Sequence, residues 1–168
     1  MVSVSQQTQR TDIGLSDEDR NGVINILSKL LADEYVLFTK TRNYHWNVTG
    51  RQFSDLHKFF EGQYEELDVI IDDVAERIRE LGSMSIATLV EFTKNARLKE
   101  EPNTYPDAKV MLSNLLKDHD SIIRTLRTDL EKCTKHQDAG TADFLTGLME
   151  QHEKMAWMLR AFLEGKSV

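Results

Sequence analysis

The sequence has little of what a disulfide-stapled, β-rich or membrane-spanning protein needs. Cys133 is the only cysteine, which excludes an intrachain disulfide and a thiolate zinc cluster. With 8 glycines and 2 prolines in 168 residues, there are too few turn formers for a fold of many short strands. No apolar run approaches the roughly 20 residues that cross a bilayer. Met1 to Arg20 has no apolar segment of the kind a secretory signal carries. Positive charge is also short, with 21 Lys and Arg against 28 Asp and Glu and a formal net charge of −7. That balance argues against a surface shaped to wrap nucleic acid and suits attraction of cations. A soluble chain in a reducing cytoplasm is the expectation.

What is present is 40% hydrophobic and 29% charged residues, an ordinary mix for one globular domain. The Ser/Thr/Gln-rich start, MVSVSQQTQRTDIG, reads as a flexible tail over 1–15, followed by one domain over 16–168. Ser16 with Asp19 has the form of a helix cap. From there Val23, Ile26, Leu27, Leu30, Leu31 and Leu37 recur at helical spacing, so the first helix runs to about Trp46. A second runs from near Ser54 to Leu81, with Gly82 as its stop. Ser85 to Asn95 suits a short extra helix. Pro102 and Pro106 mark a break, and Thr104 with Asp107 reads as the cap of a third long helix. The fourth follows the DAGT segment. The expected fold is all-α: a ferritin-like four-helix bundle with a short extra helix in the long connection between helices two and three.

Ionisable residues gather around the first loop. His45 and Trp46 close helix one, and His57 and Glu61 open helix two, with Asp72 and Glu76 further along it. His57/Glu61 and Asp72/Glu76 are i, i+4 pairs, so each pair projects from one face. At 1.5 Å per residue, Glu61 and Asp72 are about 16 Å apart, and His57 and Glu76 about 29 Å. Metal ligands must lie within roughly 2.0–2.5 Å of their ion, so the pairs cannot share one within a chain. Two copies of helix two crossing antiparallel near Glu66 and Leu67 would bring His57 and Glu61 of one to Glu76 and Asp72 of the other. A two-fold axis there makes two equivalent sites. Mixed imidazole and carboxylate ligands suit iron, zinc or manganese. Each acid taken alone reads better as solvated surface, and His57 alone reads either way; the four together carry the signal.

The segments NYHWNVTG, FSDLHKFFEG and IIDDVAERIRELG resemble the signature of the Dps family, the mini-ferritins. The likeness extends over nearly the whole chain after the tail, through the TYP turn and the TADFL start of the last helix. The resemblance implies a hollow, cytoplasmic homo-dodecamer that oxidises Fe(II), preferentially with hydrogen peroxide, and stores Fe(III). It implies ferroxidase sites at two-fold interfaces, with His45 and His57 from one subunit and Asp72 and Glu76 from its partner. Glu61 stands where the family usually has Asp. Trp46 matches a tryptophan beside the site, either a local electron donor or an aromatic anchor of the loop. Zinc is a competing ligand of the same residues. Larger ferritins use Glu-x-x-His motifs inside one bundle, and this sequence has none.

Asp143 matches an acidic pore position of the family, with Asp138 close by, although an acid in a first helical turn also suits the helix dipole. His152 falls on the apolar face of helix four and reads as a satisfied core histidine. His119 and His136 flank acids and read as exposed, with a secondary metal contact as the alternative. Family members that bind DNA often use a lysine-rich arm. Met1 to Arg20 has two arginines against four acids, a net of 2 − 4 = −2, so DNA binding is expected to be weak or absent. A DNA-coating protein and a structural metal-bridged oligomer are the alternatives to an iron-oxidising enzyme.

Overall fold

A computed structural model describes residues 11–165. Most of the expected tail therefore lies outside the described residues. The described chain forms α1 (Asp17–Asn47), α2 (Phe53–Glu80), α3 (Leu89–Asn95), α4 (Ala108–Lys135) and α5 (Ala139–Glu164). α1 packs on α2 and α4 on α5 as two helical hairpins, and α1 against α4 joins them into the four-helix bundle. The connection 81–107 carries α3, which lies on α1 with Phe92 stacked on Tyr35 at 4.2 Å between ring centroids. The all-α bundle with its short extra helix is therefore as expected. None of the described helices is long and apolar enough to cross a membrane.

The helix ends follow local chemistry. Ser16 accepts the Asp19 backbone N–H at 3.1 Å, satisfying one of the free donors of α1. α2 ends at Gly82, whose φ of 84° is a conformation that a Cβ disfavours. There the N–H of Gly82 reaches the Arg79 carbonyl at 2.9 Å and that of Ser83 reaches Ile78 at 3.3 Å, a Schellman closure. Two expected starts shift. Asp107 alone caps α4, accepting from the Val110 N–H at 2.9 Å, whereas Thr104 bonds the Pro102 carbonyl outside the helix. α5 begins inside DAGT: Asp138 is its cap, accepting from the Thr141 N–H at 2.9 Å.

One face of α2 carries Leu56, Phe60, Leu67, Ile70, Val74 and Ile78, all fully buried. Removing each such side chain from water contributes about 1.5–3 kcal/mol. The stripe leaves Asp72 and Glu76 on the outer face. α1 is buried over more of its circumference because α2, α3 and α4 all contact it. That is why it can hold two buried acids, Asp33 and Glu34.

Cys133 is fully buried, and burial, then the charges of Asp138 and Asp129, push its thiol up to about 12. At pH 8 only about one thiol in 10,000 is then the reactive thiolate. Ellman's reagent is expected to leave the folded protein unlabelled and to titrate one thiol per chain after denaturation. Rapid labelling of the native protein would contradict this packing.

Candidate metal centre

His45 sits in the last turn of α1 and His57 in the second turn of α2. The loop 48–52 reverses the chain between them, with Gly50 at φ 108° and Val48 buried in the core. The reversal stacks the two imidazoles, with centroids 3.8 Å apart and planes 20° apart. Each ring is held by the other's backbone: His45 Nδ1 is 2.7 Å from the His57 carbonyl and His57 Nδ1 2.9 Å from the His45 carbonyl. A carbonyl only accepts, so both Nδ1 atoms carry the proton. Nε2 of each ring is left with its lone pair and could hold a metal, its orientation fixed from behind. The His45 carbonyl is available because the last carbonyls of a helix have no intrahelical donor.

Aromatic rings enclose the pair. Phe53 stacks on His57 with centroids 5.2 Å apart, and Tyr64 meets His45 edge-on at 5.3 Å. The Tyr64 hydroxyl points to Glu61 at 3.4 Å. Burial, and next the Glu61 charge, raise the Tyr64 phenol above its ordinary value. The Arg42 guanidinium lies 5.0 Å from the Trp46 ring centre, 5.2 Å from Tyr64 and 5.5 Å from Phe38, close enough for cation–π attraction. Trp46 itself is 64% exposed. Arg42 and Tyr64 are not among the residues singled out by spacing in the sequence. Both were recoverable, since Arg42 is three residues before His45 and Tyr64 seven after His57, on the same helical faces.

One chain thus brings together His45 and His57, with Glu61 one turn away at i+4 and half-buried. It does not bring Asp72 or Glu76 to them. Those acids are exposed and lie about 23 and 29 Å along α2 from His57. Among the described residues of one chain, no three His, Cys, Asp or Glu side chains converge on one metal position. Val69, 61% exposed, lies one turn from Asp72 on the same outer face.

Residues 24–166 match the family model of the ferritin-like domain. DNA protection during starvation protein 2 of Bacillus anthracis is 40% identical over 84% of this chain and 96% of its own length. The chain belongs to the Dps family. A low temperature-induced protein of a Nostoc strain, itself uncharacterized, is 50% identical over 95% of this chain and 89% of its own. The Dps protein of Vibrio cholerae, described as a ferritin-like diiron-carboxylate protein, superposes with a TM-score of 0.86 at 31% identity. That match covers 93% of this chain and 98% of the other.

Other candidate residues of this Dps-family chain fall out differently from their sequence readings. Asp143 is exposed on α5 but lies beyond its first turn, which holds no acid, so the helix-dipole account does not apply to it. Asp138 is buried and committed to Thr141 and Arg77, an anchor of the α5 start. His136 caps α4 and meets Asp19 at 3.1 Å. His119, expected at the surface, is fully buried: α4 turns it toward α5, where its Nδ1 lies 3.0 Å from Nδ1 of His152. His152 is buried as expected but is not satisfied, because its Nε2 has no hydrogen-bond partner.

Proposed function

We propose that this protein is a ferroxidase and iron store. In this reading it oxidises Fe(II) at sites shared between two subunits, uses hydrogen peroxide in preference to oxygen, and holds Fe(III) inside a cytoplasmic homo-dodecamer, protecting against oxidative stress. The observation that carries the reading is the stacked His45–His57 pair, its Nδ1 atoms anchored and its Nε2 atoms free. Asp72 and Glu76 support it, being exposed on α2 with no ion pair among the described residues.

Antiparallel pairing of two α2 helices about their 66/67 midpoint brings Asp72 and Glu76 of one subunit to the histidines of another. It also covers the exposed Val69. Iron is the substrate. His45 and His57 supply neutral nitrogen donors that tolerate Fe(II), and Asp72 and Glu76 supply the negative charge that favours Fe(III). Glu61 adds a carboxylate on the histidine side for a second iron. Two Fe(II) each release one electron, and peroxide takes both with two protons to give two waters, so no hydroxyl radical leaves the site. Trp46 and Tyr64 are oxidisable rings beside it. Asp143 lines an entry pore for Fe(II), where exposed acid concentrates cations. Zinc binds the same ligands without redox change and inhibits.

The test is anaerobic loading with Fe(II), followed by peroxide or oxygen, with Fe(III) absorbance and peroxide consumption recorded together. The expected result is one peroxide consumed per two Fe(II). Oxidation no faster than in protein-free buffer would sink the enzymatic reading.

DNA binding is expected to be weak. In this structure Arg20, one of the two arginines of the N-terminal segment, is ion-paired to Asp17 at 2.7 Å. Gel shifts with linear duplex at physiological salt are expected to show no complex at micromolar protein. A tight complex that weakens as salt rises would contradict that.

A further inference from the structure

We propose that Glu34, His119 and His152 form a second transition-metal site, enclosed within the bundle of a single subunit. The three side chains come from α1, α4 and α5, and each is fully buried. The proposal does not depend on the shared site, which lies at the α1–α2 loop and the outer face of α2.

Both Glu34 carboxylate oxygens, His119 Nε2 and His152 Nε2 are buried without a hydrogen-bond partner. Buried polar atoms are rarely left so, and a cluster of them indicates an absent water or ion. His152 Nε2 is 3.0 Å from Glu34 Oε1, yet the two do not align as a hydrogen bond. A close nitrogen–oxygen contact that is not a hydrogen bond leaves lone pairs of both side chains available to a cation.

The spacing of the rings agrees. Imidazoles bound at 2.0–2.1 Å to a tetrahedral ion have ring centres about 5.2 Å apart. Those of His119 and His152 are 5.1 Å apart. At present the rings are hydrogen-bonded to each other through Nδ1, at 3.0 Å, which itself holds them at this separation, and they do not converge on one point. The proposed site requires the rings to rotate about their own side-chain bonds and to exchange this hydrogen bond for the ion.

The chemistry suits a divalent d-block cation such as Fe(II), Co(II) or Zn(II). Two imidazoles and one carboxylate are a borderline donor set, and magnesium or calcium would want more oxygen. Burial, and then the neighbouring His152, lower the His119 pKa well below its ordinary value, so protons compete little for its lone pair. One divalent ion would also neutralise the Glu34 carboxylate, which no lysine or arginine meets among the described residues. α2 contributes a further buried polar group: Gln63 donates to the Met155 carbonyl at 3.3 Å, and its Oε1 has no partner.

The experiment uses the full chain carrying His57→Ala and Asp72→Ala, which disables the shared site and leaves the core intact. The assembled protein is stripped with chelator, unfolded and reassembled with Co(II), because an enclosed site fills slowly from outside. Metal content and the visible absorption of Co(II) are then read. The expected result is about one Co(II) per chain with the intense bands of a tetrahedral ion, falling at least tenfold on adding Glu34→Gln or His119→Gln. A content below about a tenth of an ion per chain overturns the proposal, and so does full binding retained in both added variants. If those variants fail to fold, Zn(II) titration of ¹⁵N-histidine protein decides instead: shifts of the His119 and His152 nitrogens support the site, and unmoved resonances overturn it. Fe(II) oxidation by the unmutated protein is measured separately, so failure here is distinguishable from failure of the shared site.

Discussion

His57→Ala is expected to lower the rate of Fe(II) oxidation by at least about a hundredfold, and coassembly with Asp72→Ala subunits to restore part of it. The magnitude follows from metal-site chemistry: losing a group that merely orients a ligand already costs about 10- to 100-fold, and His57 is proposed as the ligand itself. It also orients another, since its backbone carbonyl holds His45 Nδ1 at 2.7 Å. The carbonyl survives in the alanine variant, so His45 keeps its anchor and the loss isolates the His57 nitrogen.

Coassembly addresses the sharing. Each variant alone has every site broken, one on its histidine side and the other on its acidic side. In a random equimolar mixture half the dimers are mixed, and one of the two sites in each regains all its ligands. About a quarter of all sites are then intact if the interface has two-fold symmetry. Native mass spectrometry confirms mixing, and the Fe(III) absorbance rate reads recovery. Mixed dimers with no recovered activity would show that the ligands do not come from two chains.

How much of this was legible in the sequence depends on the scale of the forces involved. The long helices were legible because burial of one face writes a 3.6-residue period into the chain, as along Leu56, Phe60, Leu67, Ile70 and Val74. Gly82 was legible because only a left-handed cap needs it. The cap of α4 was less so: Thr104 and Asp107 are both good capping residues, and the two residues between them include Pro106, which decides where the helix can start. His45 and His57 were legible as a pair because the loop between them is short. Their mutual Nδ1 anchoring was not, since it depends on the angle at which α2 returns.

The Glu34–His119–His152 cluster was the least legible. His119 stands between Asp118 and Asp120, a local pattern that reads as solvent. Asp118 instead reaches across to Lys40 of α1 at 2.6 Å, and His119 points inward. Which face of α4 is inside is set by α1 and α5 together, and no short window of sequence contains that information. A regular apolar period with an occasional charge inside it, as in LLADEYVL, is the trace such a cluster leaves.

Asp33→Ala is expected to be the most damaging substitution for stability, costing about 3–5 kcal/mol as a broken buried ion pair. Asp33 is 2% exposed and accepts the Arg97 guanidinium at 2.6 Å and the Leu98 backbone N–H at 3.0 Å. It also accepts the Arg97 backbone N–H. One carboxylate therefore fastens the long connection after α3 to the middle of α1. Arg97 continues to Asp129 of α4 at 3.0 Å, so the same ion network crosses from α1 to the second hairpin. Alanine removes all three acceptor contacts at once and leaves two main-chain donors in a site that water reaches poorly. Arg97→Ala should cost less, because that side chain is 34% exposed and the carboxylate keeps its two backbone partners. Melting of the assembled protein at fixed subunit concentration reads the difference, with Asp33→Ala expected to lower Tm by about 6–20 °C. A drop of under about 2 °C, or a larger drop for Arg97→Ala, would mean that the connection is held by the Phe92–Tyr35 stack and its apolar neighbours instead of by this carboxylate.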